Sequence, residues 1–124
     1  MEEKIRSFTD LVAWKKGHKL VVLVYKIIQD FPPKEKFGLS SQMGRCAVSI
    51  TSNIAEGFSR TGKKEKEQFF RIALGSLTEL QNQLLIARDI GYIQEEEFRE
   101  IADKSVEVAK LISGLIKGLD KLKN

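Results

Sequence analysis

Apolar residues recur three and four positions apart along almost the whole chain, and no β-branched alternation interrupts them. That period marks amphipathic helices. The only prolines, Pro32 and Pro33, stand in "FPPKEKFGL". They end the first apolar run, because proline lacks the amide donor and restricts its predecessor. The pattern predicts four helices. The first runs from about Leu11 to Asp30, capped by Thr9 or Asp10, and the second from about Ser40 to Ser59. The third runs from about Lys63 to Ile90, with Gly91 suited to its C-terminal end, and the fourth from about Glu95 to Leu122. Four long helices with short connections imply an all-α fold, an antiparallel up-down four-helix bundle. It forms one domain over residues 1–124, with residues 1–8 as a flexible N-terminal tail.

The first helix carries more apolar surface than a bundle core requires. Leu11, Trp14, His18, Val21, Tyr25 and Ile28 form one stripe, read here as the core face. Ala13, Leu20, Val24 and Ile27 form a second stripe beside it, and the combined arc covers about 160° of the helix. The surplus predicts that Leu20, Val24 and Ile27 face another subunit of a homo-oligomer. Lys15, Lys19 and Lys26 cluster on the opposite side. The remaining core stripes contain Met43, Ala47, Ile50 and Ile54 on the second helix and Phe70, Ala73, Leu77, Leu80 and Leu84 on the third. The fourth contributes Phe98, Ile101, Ser105, Val108, Ile112, Leu115 and Leu119, and runs on to Leu122.

Composition narrows the chemistry. A 124-residue domain buries about two-thirds of its unfolded surface and needs no staples. One cysteine, Cys46, excludes an internal disulfide. With a single histidine, His18, no Cys/His zinc site can be built, and the Glu-x-x-His pairs of a di-iron bundle are missing. No cofactor, metal or small-molecule substrate is expected. The N-terminus has no apolar run of a signal peptide, and no segment approaches the roughly 18 apolar residues of a membrane span. A soluble, cytoplasmic protein with no membrane role is the expectation.

The net charge of +4 is uneven. Residues 1–62 hold the whole excess, with 10 Lys/Arg against 6 Asp/Glu, while residues 63–124 balance. In "EEEFREIADKSVE" six acids face Arg99 and Lys104, a local balance of −4. Such a patch is a solvated helix face or an electrostatic partner for a basic surface.

"EGFSRTGKK", Glu56 to Lys64, has the glycine and lysine spacing of a phosphate-binding loop. That loop needs a preceding strand and a Ser/Thr after its lysine. Here a helix precedes it and Lys64 occupies the hydroxyl position, so the match is accidental. The segment reads instead as a helix exit bracketed by Gly57 and Gly62, followed by a helix start. Arg60, Lys63, Lys64, Lys66 and Arg71 outnumber Glu65 and Glu67 there, which makes the turn a candidate contact for RNA or DNA phosphates. Lys15, Lys19 and Lys26 are the second candidate. No aromatic run alternates with the basic residues, so base stacking is not indicated.

Polar residues flank the inner stripes of the middle helices: Arg45, Ser49, Ser52, Asn53 and Glu56 on one, Ser76, Glu79 and Gln83 on the other. Paired carboxylates there raise acid/base chemistry, but no nucleophile and base come together, since Cys46 and His18 lie on different helices. A register-fixing network or a subunit contact is the reading adopted. A hairpin turning near Thr61–Gly62 sets Arg45 level with Glu79, so a partly buried ion pair or a shared polar network is expected there.

The segments "SFTDLVAWKKGHKL", "FPPKEKFGLSSQMGRCAVSITSNIAEGFSR" and "FFRIALGSLTELQNQLLIARDIGY" resemble the 23S rRNA intervening-sequence protein family, over about Phe8 to Tyr92. The resemblance implies a non-enzymatic four-helix bundle assembled as a homopentameric ring. It also implies a more distant similarity to the accessory protein of diversity-generating retroelements, a nucleic-acid partner. Its polar signature falls on Ser52, Asn53, Glu56, Gly57, Ser76, Glu79 and Tyr92. Members commonly have proline where this chain has Thr51 and a second arginine where it has Gly44, so a straighter second helix and weaker nucleic-acid binding are expected here. A structural or protein–protein adaptor with no nucleic-acid role is the alternative.

Overall fold

The computed structural model describes residues 4–121, and among these every regular element is helical. Helix α1 spans Val12–Ile28, α2 Leu39–Ser59, α3 Lys63–Asp89 and α4 Glu95–Gly118. Short 3-10 turns occupy Phe8–Asp10, Pro33–Glu35 and Leu119–Lys121. The expected boundaries hold closely, apart from the end of α4. The α-helix stops at Gly118 and tightens into a 3-10 turn, and Leu122 lies outside the described residues. Helix α2 runs unbroken through Thr51.

The start of α1 differs from expectation. Neither Thr9 nor Asp10 caps it; Leu11 is the N-cap and offers no side-chain acceptor. Ser7 caps the preceding 3-10 turn instead. Its Oγ accepts from the Thr9 amide at 3.2 Å, while Asp10 Oδ2 accepts from the Ser7 and Arg6 amides at 3.1 and 3.0 Å. This reciprocal box satisfies donors that the turn leaves free. Phe8 then packs edge-on against Trp14, with ring centroids 5.4 Å apart. The segment expected as a tail is therefore structured by Ser7; residues 1–3 lie outside the described residues.

Helix α2 packs on α1 and α3, and α4 packs on α3 and α1. The core they share contains Leu20, Val24, Met43, Ile50, Ile54, Leu77, Leu80, Leu84, Ile101, Val108 and Ile112, each at most 2% exposed. Full burial of each such side chain contributes about 1.5–3 kcal/mol.

This core corrects the reading of α1. Leu20 and Val24 are 0% exposed and Ile27 is 9%, so they pack inside the bundle and are not available to a second subunit. The stripe read as core is the one that reaches the surface: His18 and Tyr25 are exposed, and Trp14, Val21 and Ile28 are half-buried. The inner stripe runs Ala13, Gly17, Leu20, Val24, Ile27 and on to Phe31. Gly17 lets α1 approach α2 closely: a Cβ there would sit 3.1 Å from Thr51 Cγ2.

Gly57 is also not a helix end. It is buried inside α2, and a Cβ at this position would lie 2.5 Å from the Phe70 ring. Gly91 does end α3, with φ of 86°, a left-handed conformation that only glycine adopts without strain. The Tyr92 amide reaches back to the Ala87 carbonyl at 2.8 Å and closes the turn. No helix of the described residues is long and apolar enough to cross a membrane.

Candidate functional site

Where α2 meets α3, small polar side chains replace the apolar core. The Ser49 and Ser76 hydroxyls share a hydrogen bond of 2.8 Å. Asn53 Nδ2 donates to the Ser49 carbonyl at 2.8 Å and to its Oγ at 3.1 Å. The Cys46 thiol donates to the Ser76 carbonyl at 2.9 Å and faces Glu79 Oε2 at 3.7 Å. Burial, then the Glu79 carboxylate, push the Cys46 thiol up to about 12. A thiol held that far above neutrality stays protonated and unreactive. Gln83 closes the row. It is 6% exposed, and its Oε1 is the one buried side-chain N/O atom without a hydrogen-bond partner among the described residues. Cys46, Ser49, Ser76, Glu79 and Gln83, together with Gln42 and Arg45, line a groove of about 320 Å³.

The expected Arg45–Glu79 ion pair does not form. Arg45 donates instead to Ser41 Oγ at 2.9 Å, along its own helix. The level was right and the direction wrong: Cys46, one residue and about 100° further round the helix, is what points at Glu79. Ser49, Asn53, Ser76 and Gln83 come together in the seam, with Glu79 exposed at its rim. Arg45 is exposed on the lip of the groove, and Ser52 and Glu56 are exposed away from it.

The basic turn is largely occupied by its own protein. Arg60 bonds Glu56 at 3.1 Å, approaches Glu65 at 3.7 Å and stacks 4.9 Å over the Phe69 ring. Lys63 reaches Asp120 at 3.5 Å, and Arg71 bonds Glu67 at 2.8 Å. Lys66 is not a surface charge awaiting a phosphate. Its Nζ donates to the Gly57 and Phe58 carbonyls at 3.2 and 2.8 Å, covering acceptors left free at the end of α2. Desolvation there pushes the ammonium's pKa down. Only Lys64 has no such partner among the described residues. As a nucleotide loop the segment fails outright, since it begins on α2 and no strand precedes it.

Lys15, Lys19 and Lys26 are exposed along the outer face of α1, with no carboxylate within 4.0 Å among the described residues. The acids of α4 are partly used at its start. Glu95, Glu96 and Glu97 fill its first turn, where the helix dipole favours negative charge, and Glu97 completes a capping box with Gln94. Glu107 lies 3.9 Å from Lys16.

Two features escaped the sequence reading. Glu35 ties together two distant connections: its Oε2 accepts from the Tyr92 hydroxyl at 2.7 Å and its Oε1 from the Leu39 amide at 3.1 Å, at the start of α2. The Tyr92 hydroxyl, then the Leu39 amide, hold the Glu35 carboxyl below its usual range. The same bond pushes the phenol up. A glutamate four residues before a helix start was the available signal. The second feature is Phe37, in the turn before α2, which is 88% exposed. Beside it Tyr25, Ile28, Phe31, Pro32, Pro33, Ser41 and Gly44 border a groove of about 470 Å³.

The family comparison bears on these surfaces. The sequence model of the 23S rRNA-intervening sequence protein matches residues 9–114. The chain belongs to this family. A solved relative within the reach of this 23S rRNA-intervening sequence fold is a protein of unknown function from the S23 ribosomal protein family of Bacteroides thetaiotaomicron VPI-5482. The two chains are 26% identical, with a TM-score of 0.79, over 86% of this chain and 96% of the other. No curated protein matches the chain. The matched span takes in the polar seam, the basic turn, the Glu35–Tyr92 tie and Phe37 alike, so each belongs to the family domain and not to an appended segment.

Proposed function

We propose that this member of the 23S rRNA-intervening sequence family is a non-enzymatic, self-assembling, antiparallel up-down bundle that acts in the cytoplasm as a homo-oligomeric module. The up-down order is supported by the contacts between helices. Across α2 and α3, Cys46 meets Glu79, Ser49 meets Ser76 and Phe58 meets Lys66, so residue numbers rise on one helix as they fall on the other. Gln81 with Ser105 and Arg88 with Phe98 do the same across α3 and α4.

The observation that carries self-assembly is apolar surface left uncovered by a single copy. Tyr25 is 45% exposed, Phe37 88% and Val48 40% on α1, α2 and the turn between them, and Ile72, Leu85 and Ile86 on α3 and Val106 on α4 are 42–47% exposed. Exposed apolar side chains in this number mark interaction surface on a small domain, and Phe37 is the most exposed of them among the described residues. The interface is thus reassigned from Leu20, Val24 and Ile27 to the outer stripe of α1 and its neighbours on α2. The number five comes from the family resemblance. Sedimentation of the purified protein at micromolar concentration tests the reading: a closed oligomer is expected, and a monomer overturns it.

A second reading, contact with RNA or DNA phosphates, is favoured by one observation: Lys15, Lys19 and Lys26 are exposed and unpaired among the described residues, unlike the turn at Arg60–Arg71. Replacing all three by alanine should reduce the slope of log affinity against log salt by up to about three units, at close to one unit per phosphate contact. Lys63→Ala with Lys64→Ala should change it far less. If structured RNA does not bind the wild type at all, the module is an adaptor between proteins.

A further inference from the structure

We infer that the groove between α2 and α3 binds a small zwitterion of the α-amino-acid class, held between Arg45 on one wall and Glu79 with Gln83 on the other. The site is independent of the assembly and nucleic-acid readings above.

The two walls come from matched helix faces. Gln42, Arg45 and Ser49 follow one another at spacings of three and four along α2, and Ser76, Glu79 and Gln83 do the same along α3. At the Ser49–Ser76 end the polar groups satisfy one another, through the shared bond of 2.8 Å and the Asn53 amide that donates to Ser49. At Gln83 this stops. The side chain is only 6% exposed, and its Oε1 has no hydrogen-bond partner among the described residues. A buried acceptor left without a donor is costly, and an apolar side chain would have filled the same position without that cost. Its place on the wall of a groove calls for a donor from outside the chain. Glu79, one turn away, is in the same condition. Among the described residues its carboxylate meets the Cys46 thiol at 3.7 Å and no cationic group within 4.0 Å. Across the groove, Arg45 gives one hydrogen bond to Ser41 Oγ at 2.9 Å, and its guanidinium has further N–H groups to offer.

This arrangement selects the chemistry of the ligand. A lone cation would answer Glu79 and Gln83 but be repelled by Arg45. A lone anion would answer Arg45 but be repelled by Glu79. A zwitterion answers both walls: its ammonium donates to Gln83 Oε1 and to Glu79, and its carboxylate accepts from Arg45. Water would satisfy the Gln83 amide but leave the two opposite charges unbridged. The groove, at about 320 Å³, has room for a free amino acid, and no large apolar side chain lines it. The ligand's own side chain is therefore small or polar.

L-Serine and two half-matched analogues test this in the intact protein. Ethanolamine lacks the carboxylate of serine, and glycerate lacks its ammonium. Calorimetric titration up to about 10 mM should show saturable binding of serine and at least about tenfold weaker binding of either analogue. Arg45→Gln and Glu79→Gln, both at exposed positions, should each weaken serine about tenfold or more, the loss of a hydrogen bond to a charged group. Gln83→Met keeps the length of the side chain and removes the unmatched oxygen. It should raise the melting temperature of the ligand-free protein and still lose serine affinity. A Gln83 that only supports packing would do the reverse, with a lower melting temperature and unchanged serine binding, and that result overturns the site. So does the absence of binding by serine, glycine and glutamine alike. Ethanolamine or glycerate binding as tightly as serine overturns the assignment of a zwitterion.

Discussion

Helix α2 has two flanks, and they are built differently. Towards α3 it presents Cys46, Ser49 and Asn53, whose hydrogen bonds are met within the chain. Towards α1 it presents Gly44 against Tyr25 and Thr51 against Gly17, with Tyr25 and Val48 still open to water. The first flank locks register, because a hydroxyl pair tolerates no slip along the helix axis and an unmet buried donor is costly. The second is set by the close approaches of Gly17 to Thr51 and of Gly44 to Tyr25, and still keeps apolar surface open to water. A sequence reader sees polar residues on the first flank and suspects a site there. In the folded protein the polar flank is mostly satisfied, and the apolar one is unfinished.

The largest expected effect separates the inner stripe of α1 from its outer stripe. Leu20→Glu buries an unpaired carboxylate where no exposure remains, and should cost more than about 4 kcal/mol, enough to unfold a domain of this size. Tyr25→Glu, on the outer stripe, should leave the melting curve of the monomer nearly unchanged and abolish assembly. If Leu20→Glu dissociates a folded protein instead, the stripes have been assigned the wrong way round. Gly57→Val comes next. A Cβ at residue 57 would sit 2.5 Å from the Phe70 ring, so the valine side chain should cost about 1–3 kcal/mol in thermal denaturation. Ser49→Ala removes the hydroxyl partner of Ser76 and one of the two acceptors of Asn53, whose bond to the residue-49 carbonyl remains, and about 1 kcal/mol is expected. A neutral result would show that the seam is wetter than its hydrogen bonds imply.

Cys46 gives a chemical version of the same comparison. With its thiol pushed up to about 12, it should resist alkylation at neutral pH in the native protein and react promptly once denatured. Fast native labelling would mean that the α2–α3 seam opens. The smallest effect is at the Glu35–Tyr92 tie. Glu35 titrates lower when folded, so its contribution is complete above the ordinary value of 4.5 and fades as pH falls below it. Tyr92 titrates higher when folded, so its contribution is complete below 10.0 and fades as pH rises through its folded pKa. Tyr92→Phe should therefore lower the melting temperature slightly at neutral pH and flatten both the acid and the alkaline limbs of the stability profile.

Much of the fold was legible in the residues. Helix ends follow Pro32, Pro33, Gly62 and Gly91, whose backbone limits act locally and need no knowledge of neighbours. Rotation about each helix axis was not legible. Both stripes of α1 are apolar, and only packing decides which turns inward; Gly17, amid the stripe that proved to be core, was the available clue. The Arg45–Glu79 expectation failed for the same reason, with axial position right and azimuth off by one residue. The basic turn misled because a charge count ignores partners brought from afar: Lys63 meets Asp120 just past the far end of α4, and Lys66 bends back to carbonyls.

The bond between Glu35 and Tyr92 also bears on the order in which the chain folds. Its partners are 57 residues apart, and the whole α2–α3 hairpin lies between them. Closing so long a loop before the hairpin exists would carry the entropic cost with nothing to offset it, so the tie forms after the hairpin has zipped. An interaction absent from the transition state acts on the rate of escape from the native state and not on the rate of arrival. Tyr92→Phe should thus steepen unfolding while refolding keeps its pace, which would make this hydroxyl a latch on the lifetime of the folded chain.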